Sequence, residues 1–364
     1  MYIVIFFSVL ALMLTVLDSR QMLKGGMLLG FILVTFLGCI HYDYGNDYMA
    51  YLDIYNDIIS KPFSFRATIT GETYKEPGWA LISYFFKYFG GFFMQVIVLN
   101  IIQNMLVYKF IKREVARSWW PMAVFIYLFS TPFYLYSFSM MRQSLVIFVF
   151  LGLWPWIKQR KVVPTLLILL FCSSIHASAL VLIPFAFYGF LPLSKPKLLA
   201  VIYVTLFVCL WLSKDFLDLI FQSFLRVEEF ETLAEIYAEN DEIVSYGIGF
   251  IMNLIPFFLT IFYLLKSDVN KKSDVYLVSL AMLSFMVTPF SQIVPLVGRV
   301  GIYFDVYKLA AIPIIYSSVN NNIIRIGVLS ILIVMCLHGY ISFFSSPIWR
   351  DAYTEFHTIF SVIF

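Results

Sequence analysis

Residues that could do chemistry are concentrated in five short polar elements of an otherwise strongly apolar chain. A carboxylate or a histidine can act as a general base. An arginine can bind a phosphate through two parallel N–H groups. The elements are His41-Tyr-Asp-Tyr-Gly-Asn-Asp-Tyr48, Tyr74-Lys-Glu-Pro-Gly78, Met140-Met-Arg-Gln-Ser144, His176 and Pro295-Leu-Val-Gly-Arg-Val-Gly-Ile-Tyr-Phe-Asp305.

The first element interleaves carboxylates with aromatic rings, and the pattern continues to Tyr55. Asp47, Tyr51 and Tyr55 share one helical face by their spacing of four residues, with Tyr48 beside them. Such a face suits a sugar, because rings stack on its apolar faces and carboxylates accept hydrogen bonds from its hydroxyls. An aromatic belt at a membrane interface would have the same composition. Both interpretations remain open on the residues alone.

The next three elements each contain one residue with a possible catalytic or binding role. Glu76 precedes Pro77 and Gly78, which favour the start of a helix, so its charge could serve only the helix N-terminus. Arg142, followed by Gln143, lies between two apolar runs and could reach a ligand or extend to the membrane surface. His176 divides a long apolar run and could be an interior hydrogen-bonded residue or a base.

In the fifth element, Asp305 and Lys308 are one turn apart within an apolar stretch. Unpaired charges there cost several kcal/mol, so we predict an intramembrane ion pair. Arg299, at the outer end of the same stretch, is then available for a ligand, with Tyr303 one turn further on.

The composition defines the class of protein that must position these residues. Hydrophobic residues make up 61% of the chain and charged residues 13%, whereas soluble domains carry about 25% charge. We predict an all-α integral membrane protein in which residues 1–364 form a single transmembrane domain, a polytopic bundle of about 12 segments. The apolar runs fall near 2–17, 22–40, 91–110, 120–138, 143–157, 162–190, 198–213, 246–265, 275–291, 301–316 and 324–344.

The distribution of lysine and arginine predicts the orientation. Short connectors rich in these residues are placed in the cytoplasm, and the longer polar segments 41–76 and 214–245 outside, with the N-terminus. This alternation requires 162–190 to cross twice, as two short half-helices that meet near Ser173-Ser-Ile-His176 in the protein interior. Residues 77–90 are expected to form an interfacial or re-entrant helix before the crossing at 91–110.

The order of these elements resembles the EpsG-like family of membrane polysaccharide polymerases, related in role to the O-antigen polymerases called Wzy. As in the family, acidic and basic residues end the first helix, here Asp18 and Arg20. Two positions depart from the family pattern: His41 stands where a basic residue is often found, and Asn46 stands where the family usually has threonine. The resemblance spans roughly residues 1–310. The matching elements are Gly45-Asn-Asp-Tyr-Met-Ala-Tyr51, Glu76-Pro-Gly78, Arg142-Gln143, His176-Ala-Ser-Ala179 and Arg299-Val-Gly-Ile-Tyr-Phe304.

The resemblance implies a GT-C-like glycosyltransferase with broken helices and outer-face loops. It would join undecaprenyl-pyrophosphate-linked oligosaccharide repeats at the outer face of the bacterial cytoplasmic membrane, as in O-antigen, capsule or exopolysaccharide synthesis. No cofactor or metal is expected, because the donor is already activated and no tight acidic pair is spaced for a metal. The expected partners are the lipid-linked oligosaccharides, membrane lipid, a chain-length-regulating co-polymerase and a flippase, and not nucleic acid. The catalytic candidates are Asp47, Glu76 and His176, and the substrate-binding candidates are Arg142, Gln143, Arg299, Tyr48, Tyr51 and Tyr303.

Two other classes of function share the apolar composition. A flippase for lipid-linked oligosaccharides should show internal repeats or mid-membrane charges that face a translocation path. A membrane acyltransferase acting on surface glycans could use His176, but it needs a second catalytic motif. The sequence shows no clear sign of the features expected of a flippase, and no convincing second motif for an acyltransferase. Its polar elements cluster on one predicted side of the membrane.

Overall fold

A computed structural model describes residues 1–191, 193, 195–213, 248–266, 272–292 and 295–360. The predicted loop 214–245 lies outside these residues. Contacts divide the chain into two compact units, 1–191 with 321–364 and 192–320.

The first unit contains the first four polar elements. Its helices are α1 (Tyr2–Ser19), α2 (Gly26–Ile40), α3 (Tyr48–Ser60), α4 (Phe65–Ile69), α5 (Pro77–Tyr88), α6 (Gly91–Glu114), α7 (Trp120–Phe129), α8 (Tyr136–Ser139), α9 (Met141–Gly152), α10 (Trp154–Lys158) and α11 (Val162–Ile175). Two 3₁₀ segments are Arg117–Trp119 and Ala177–Phe190.

The second unit comprises α12 (Pro196–Leu212), α13 (Ile248–Lys266), α14 (Lys272–Val287), a 3₁₀ segment (Thr288–Gln292), α15 (Pro295–Asp305) and α16 (Lys308–Ser318). The first unit then resumes with α17 (Asn322–Ser345) and α18 (Pro347–Thr354). The predicted ion pair between Asp305 and Lys308 is present in the second unit, and the Ser284 hydroxyl also donates to Asp305. The predicted pairing is confirmed, and it explains how these charges are tolerated among apolar helices, while their position within a membrane stays a prediction.

Apolar helices dominate, so the predicted class of an all-α membrane protein is confirmed. Among the described residues, three helices are long and apolar enough to cross a membrane, namely α1, α6 and α17. Most other apolar runs are interrupted: 120–138 is divided between α7 and α8, and 143–157 between α9 and α10. The number of crossings therefore stays a prediction.

Two predicted helix breaks are present where the sequence places them. The run 162–190 divides at His176, whose backbone is extended (φ −150°, ψ 112°) between α11 and the 3₁₀ segment. The glycine pair after α5 interrupts the helix with positive φ at both residues, 93° at Gly90 and 74° at Gly91. Glycine populates this region at little cost, so α6 can start in a new direction.

The contacts of the first unit sort its connectors into two ends. At one end, Arg117 pairs with Asp18 at 2.6 Å, and Arg160 donates to the carbonyl of Gly189 at 3.0 Å. The predicted topology places all of these residues on the basic, inner side.

At the other end, the terminal ammonium of Met1 donates to the Thr354 carbonyl at 2.8 Å. A short antiparallel ribbon joins β1 (His41–Tyr42) to β2 (His357–Thr358). This ribbon was not predicted, and it is an exception to the all-helical expectation. The alternation of the connectors and the compartment that each end faces stay predictions.

Candidate functional site

Glu76 directly precedes α5, at the point where the backbone changes from extended to helical. Its backbone is extended (φ −111°, ψ 93°) and Pro77 occupies the first turn, where its fixed φ and missing N–H are tolerated. The carboxylate does not cap its own helix. It is buried and directed to partners from elsewhere in the chain.

Both carboxylate oxygens of Glu76 have partners. Oε2 pairs with Nη1 of Arg142, while Oε1 lies 3.1 Å from Nδ1 of His176 and accepts from the backbone N–H of Ala177 at 3.3 Å. Ala177 is the first residue after the helix break, so Glu76 satisfies an N–H that the break leaves free. One carboxylate thereby joins the Glu-Pro-Gly, Arg-Gln and His-Ala-Ser-Ala elements.

Two tyrosines surround the guanidinium of Arg142. Nη1 donates to the Tyr74 hydroxyl at 2.7 Å and Nε donates to the Tyr51 hydroxyl at 3.4 Å. The guanidinium carbon also lies 5.3 Å and 5.8 Å from the ring centroids of Tyr51 and Tyr74, within the range of cation–π attraction. Among the described residues, Nη2 of Arg142 has no hydrogen-bond partner. Its N–H groups can therefore donate to a ligand while Nε and Nη1 hold the guanidinium in place.

Gly78 explains why a glycine follows Glu-Pro. A Cβ at this position would lie 3.0 Å from the backbone nitrogen of Ile175 and would collide with the Ser174 hydroxyl. The missing side chain lets the first turn of α5 pack directly on the end of α11. This close approach brings Glu76 to His176.

Gly45 has the same function on the other side of the site. Its φ is +117°, and a Cβ would lie 2.7 Å from the carbonyl oxygen of Phe138. The next turn is fixed by the Ser139 hydroxyl, which accepts from the Asp47 backbone N–H at 3.3 Å. The element Gly45-Asn-Asp-Tyr thus packs α3, which bears Tyr51, against the segment that leads to Arg142.

Burial and pairing act in opposite directions on the Glu76 carboxyl. Burial alone would raise its pKa, but the hydrogen bond from His176, the positive charge of Arg142 and the N–H of Ala177 outweigh it. The net effect is a pKa below the ordinary value of 4.5. Glu76 is therefore an ionised carboxylate at neutral pH and a weak base.

The ionised carboxylate determines the tautomer of His176. A carboxylate can only accept hydrogen bonds, so Nδ1 must bear the proton in this contact. In the neutral ring, Nε2 is then the unprotonated nitrogen. The side chain of His176 is 24% exposed.

The remaining predicted residues lie in other environments. Asp47 is exposed, whereas Tyr48 is fully buried against His41 and Phe92. Gln143 is buried in α9. In the second unit, Tyr303 is buried in α15, and the Arg299 side chain lies outside the described residues although its helix is described. The structure therefore brings together Tyr51, Glu76, Arg142 and His176.

Sequence reasoning missed three contributors. Tyr74 was noted as part of its element but not as a site residue, and the ring of Trp79 packs on Tyr51 at 5.6 Å. Both belong to the segment around Glu76, so proximity to a candidate was the available signal. The backbone N–H of Ala177 was not foreseeable, because it becomes free only when the helix breaks.

The fold and site define an all-α membrane protein with a half-buried Arg–Glu–His constellation held by aromatic rings. A family model for the EpsG family matches residues 26–356, and the chain belongs to that family. This confirms the resemblance drawn from the five elements. No curated protein and no solved structure shows a significant match.

Proposed function

We propose that the protein is a polysaccharide polymerase that transfers a growing glycan from undecaprenyl pyrophosphate to a hydroxyl of the next lipid-linked repeat. Membership of the EpsG family supports the general class of polysaccharide polymerase. The observation that carries the proposal is the joining of Arg142 and His176 by the Glu76 carboxylate. It holds a cation that can bind phosphate next to an imidazole that can act as a general base.

His176 is the proposed general base. Glu76 holds the protonated Nδ1 at 3.1 Å and stabilises the imidazolium that forms when Nε2 takes a proton. The sequence left Asp47, Glu76 and His176 as alternatives. Glu76 is fully engaged and has a lowered pKa, so it positions the histidine instead of accepting the proton itself.

Arg142 is the proposed group that binds the leaving pyrophosphate. Its fork is fixed by Tyr51, Tyr74 and Glu76, so little conformational freedom is lost on binding. Its charge stabilises the negative charge that grows on the leaving oxygen. Arg299 and Gln143 are proposed to bind substrate on the basis of the sequence elements.

The proposed reaction is a single glycosyl transfer from the donor lipid to the acceptor hydroxyl. The acceptor oxygen forms a bond to the anomeric carbon of the donor glycan, and the bond from that carbon to the phosphate oxygen breaks. The acceptor proton passes to Nε2 of His176, and undecaprenyl pyrophosphate leaves with the bonding electrons. Water then takes the proton from His176.

The proposed location is the bacterial cytoplasmic membrane, with the site on the outer face. The basic connectors at the opposite end of the first unit support this orientation. A flippase would deliver the lipid-linked repeat, and a co-polymerase would set the length of the product.

The test uses purified protein in liposomes with lipid-linked repeats and no nucleotide. We expect a ladder of products separated by one repeat, with release of undecaprenyl pyrophosphate in equal amount. Movement of repeats across the bilayer without a ladder would indicate a flippase. Transfer of an acyl group to single repeats would indicate an acyltransferase, and either result would overturn the proposal.

A further inference from the structure

The segment after α17 contributes to the surface beside the candidate site, which the sequence elements do not indicate. Helix α18 is fixed against the loop that follows α2. The backbone N–H of Gly45 donates to the carbonyl of Ala352 at 3.1 Å, and the Tyr353 hydroxyl donates to the Leu135 carbonyl at 2.9 Å. The N–H of Ile359 also donates to the carbonyl of Ile40 at 2.8 Å.

This attachment builds a group of aromatic rings, which we call the aromatic platform: Tyr136, Phe343, Trp349 and Tyr353. Trp349 stacks on Tyr136 with centroids 5.5 Å apart and planes 22° apart, and on Phe343 at 5.0 Å and 22°. The centroids of Tyr136 and Phe343 are only 6.0 Å apart. Rings on opposite faces of Trp349 would be about 10 Å apart, so both rings cover the same face.

The other face of Trp349 is not covered by these rings, and its side chain is half-buried. Tyr353 meets its edge at 6.2 Å with planes 62° apart. An indole packed on one face by other rings can stack its second face on the apolar face of a sugar ring.

A hydroxyl-binding group lies next to the platform. Asp47 is exposed, and its backbone is held by Ser139, one turn of chain after Tyr136. Ser139 and Tyr136 belong to the same short helix, α8, so the backbone of Asp47 is held near the platform. An exposed carboxylate accepts hydrogen bonds from sugar hydroxyls, whereas it repels a pyrophosphate.

We propose that Trp349, Tyr136 and Asp47 form the subsite that binds the non-lipid sugar portion of the acceptor repeat. The proposal rests on the polymerase function proposed above. Tyr136 and Arg142 are the two ends of one short segment, 136–142, so an acceptor held at the platform lies beside the group that binds the donor pyrophosphate. The negative charge of Asp47 makes this side suitable for the acceptor sugar and unsuitable for the phosphates.

The experiment measures binding of the free oligosaccharide repeat, released by mild acid from the host's own lipid-linked glycan, to the full-length protein in detergent. We expect Trp349→Leu to weaken binding by about tenfold or more, which corresponds to the loss of one well-formed contact. Leucine keeps an apolar side chain but cannot stack. Phe360→Leu is the matched control, because Phe360 is exposed beyond the ribbon and should bind as the wild type does.

Asp47→Asn is the second variant, since an exposed side chain can be exchanged without unfolding the protein. It should weaken binding of the free repeat several-fold, because the amide loses the negative charge that accepts hydrogen bonds from the sugar hydroxyls. Normal binding by both Trp349→Leu and Asp47→Asn would overturn the subsite. If Trp349→Leu instead impairs only insertion into liposomes, Trp349 anchors the chain at the membrane surface and the subsite is wrong.

The same assay separates this proposal from the polymerase function. If the wild type polymerises and both variants bind the repeat normally, only the subsite is rejected. Absence of both polymerisation and repeat binding in wild type rejects the function and the subsite together.

Discussion

Glu76 and His176 are 100 residues apart in the chain, and their side chains meet at 3.1 Å between Oε1 and Nδ1. The contact joins the start of α5 to the break after α11. It depends on two local irregularities, a proline-initiated helix and an interrupted one.

Removing the base should stop transfer without stopping binding. His176→Ala is expected to lower the turnover number for transfer by about 10²–10⁴, the usual contribution of a general base, with little change in KM. Added imidazole should restore part of the rate in this variant, because it can occupy the vacated space beside Glu76. Turnover of His176→Ala within threefold of wild type would exclude the role.

Glycosyl transfer should depend on the forked donor geometry of Arg142 more than on its positive charge. Arg142→Lys keeps the positive charge but cannot donate to Tyr51, Tyr74 and a phosphate at once, so transfer should fall at least about tenfold. Arg66→Lys, at an exposed position in α4, is the control and should polymerise normally. Equal polymer from both variants at equal expression would make Arg142 a structural residue.

The Glu76 carboxylate should make stability depend on pH. Its pKa is lowered in the folded protein, so its stabilising contribution is complete above the ordinary value of 4.5 and is lost as pH falls through the lower folded value. Glu76→Gln should be less stable than wild type at pH 7, by roughly 2 kcal/mol for a charged hydrogen bond. Thermal unfolding in detergent between pH 7 and pH 3 should show this difference narrowing only below pH 4.5. A difference in stability between wild type and Glu76→Gln that stays constant from pH 7 to pH 3 would contradict the interpretation of Glu76 as an ionised, stabilising carboxylate.

The glycine that brings the two helices together should not tolerate a side chain. Gly78→Ala places a Cβ 3.0 Å from the Ile175 nitrogen, so α5 must move away from α11. We expect destabilisation of about 1–3 kcal/mol and a loss of transfer, although Glu76 and His176 are chemically intact. Gly327→Ala is the control, because nothing lies within 4 Å of its Cβ position in α17. That variant should be at least as stable as wild type.

Opposite ends of the first unit should face opposite compartments. In a variant without the native cysteines, Glu72→Cys should react with an impermeant thiol reagent on intact cells, since Glu72 is exposed in the segment 41–76. Lys112→Cys, exposed near the end of α6 at the basic end, should react only after the membrane is opened. The reverse pattern would invert the orientation.

The sequence by itself determined the class and the family of the protein, and it supplied the candidates for the site. A hydrophobic content of 61% excludes a soluble fold, and the order of five short polar elements indicates the EpsG family. The helix break near His176 was also predicted from the sequence, because two crossings of the run 162–190 would keep the basic connectors on one side. The structure confirms the break itself.

Only the tertiary structure decided which candidates meet. On the residues, Asp47 was the first choice of base, Glu76 the second, and His176 was expected to orient a substrate, because the sequence records neither burial nor partners. In the fold, Asp47 is exposed, whereas Glu76 is buried between Arg142 and His176. The pairing of β1 with β2 and the attachment of α18 were beyond sequence reasoning for the same physical reason. Such contacts depend on which distant segments the packing of glycines and aromatic rings brings within a few ångströms of each other.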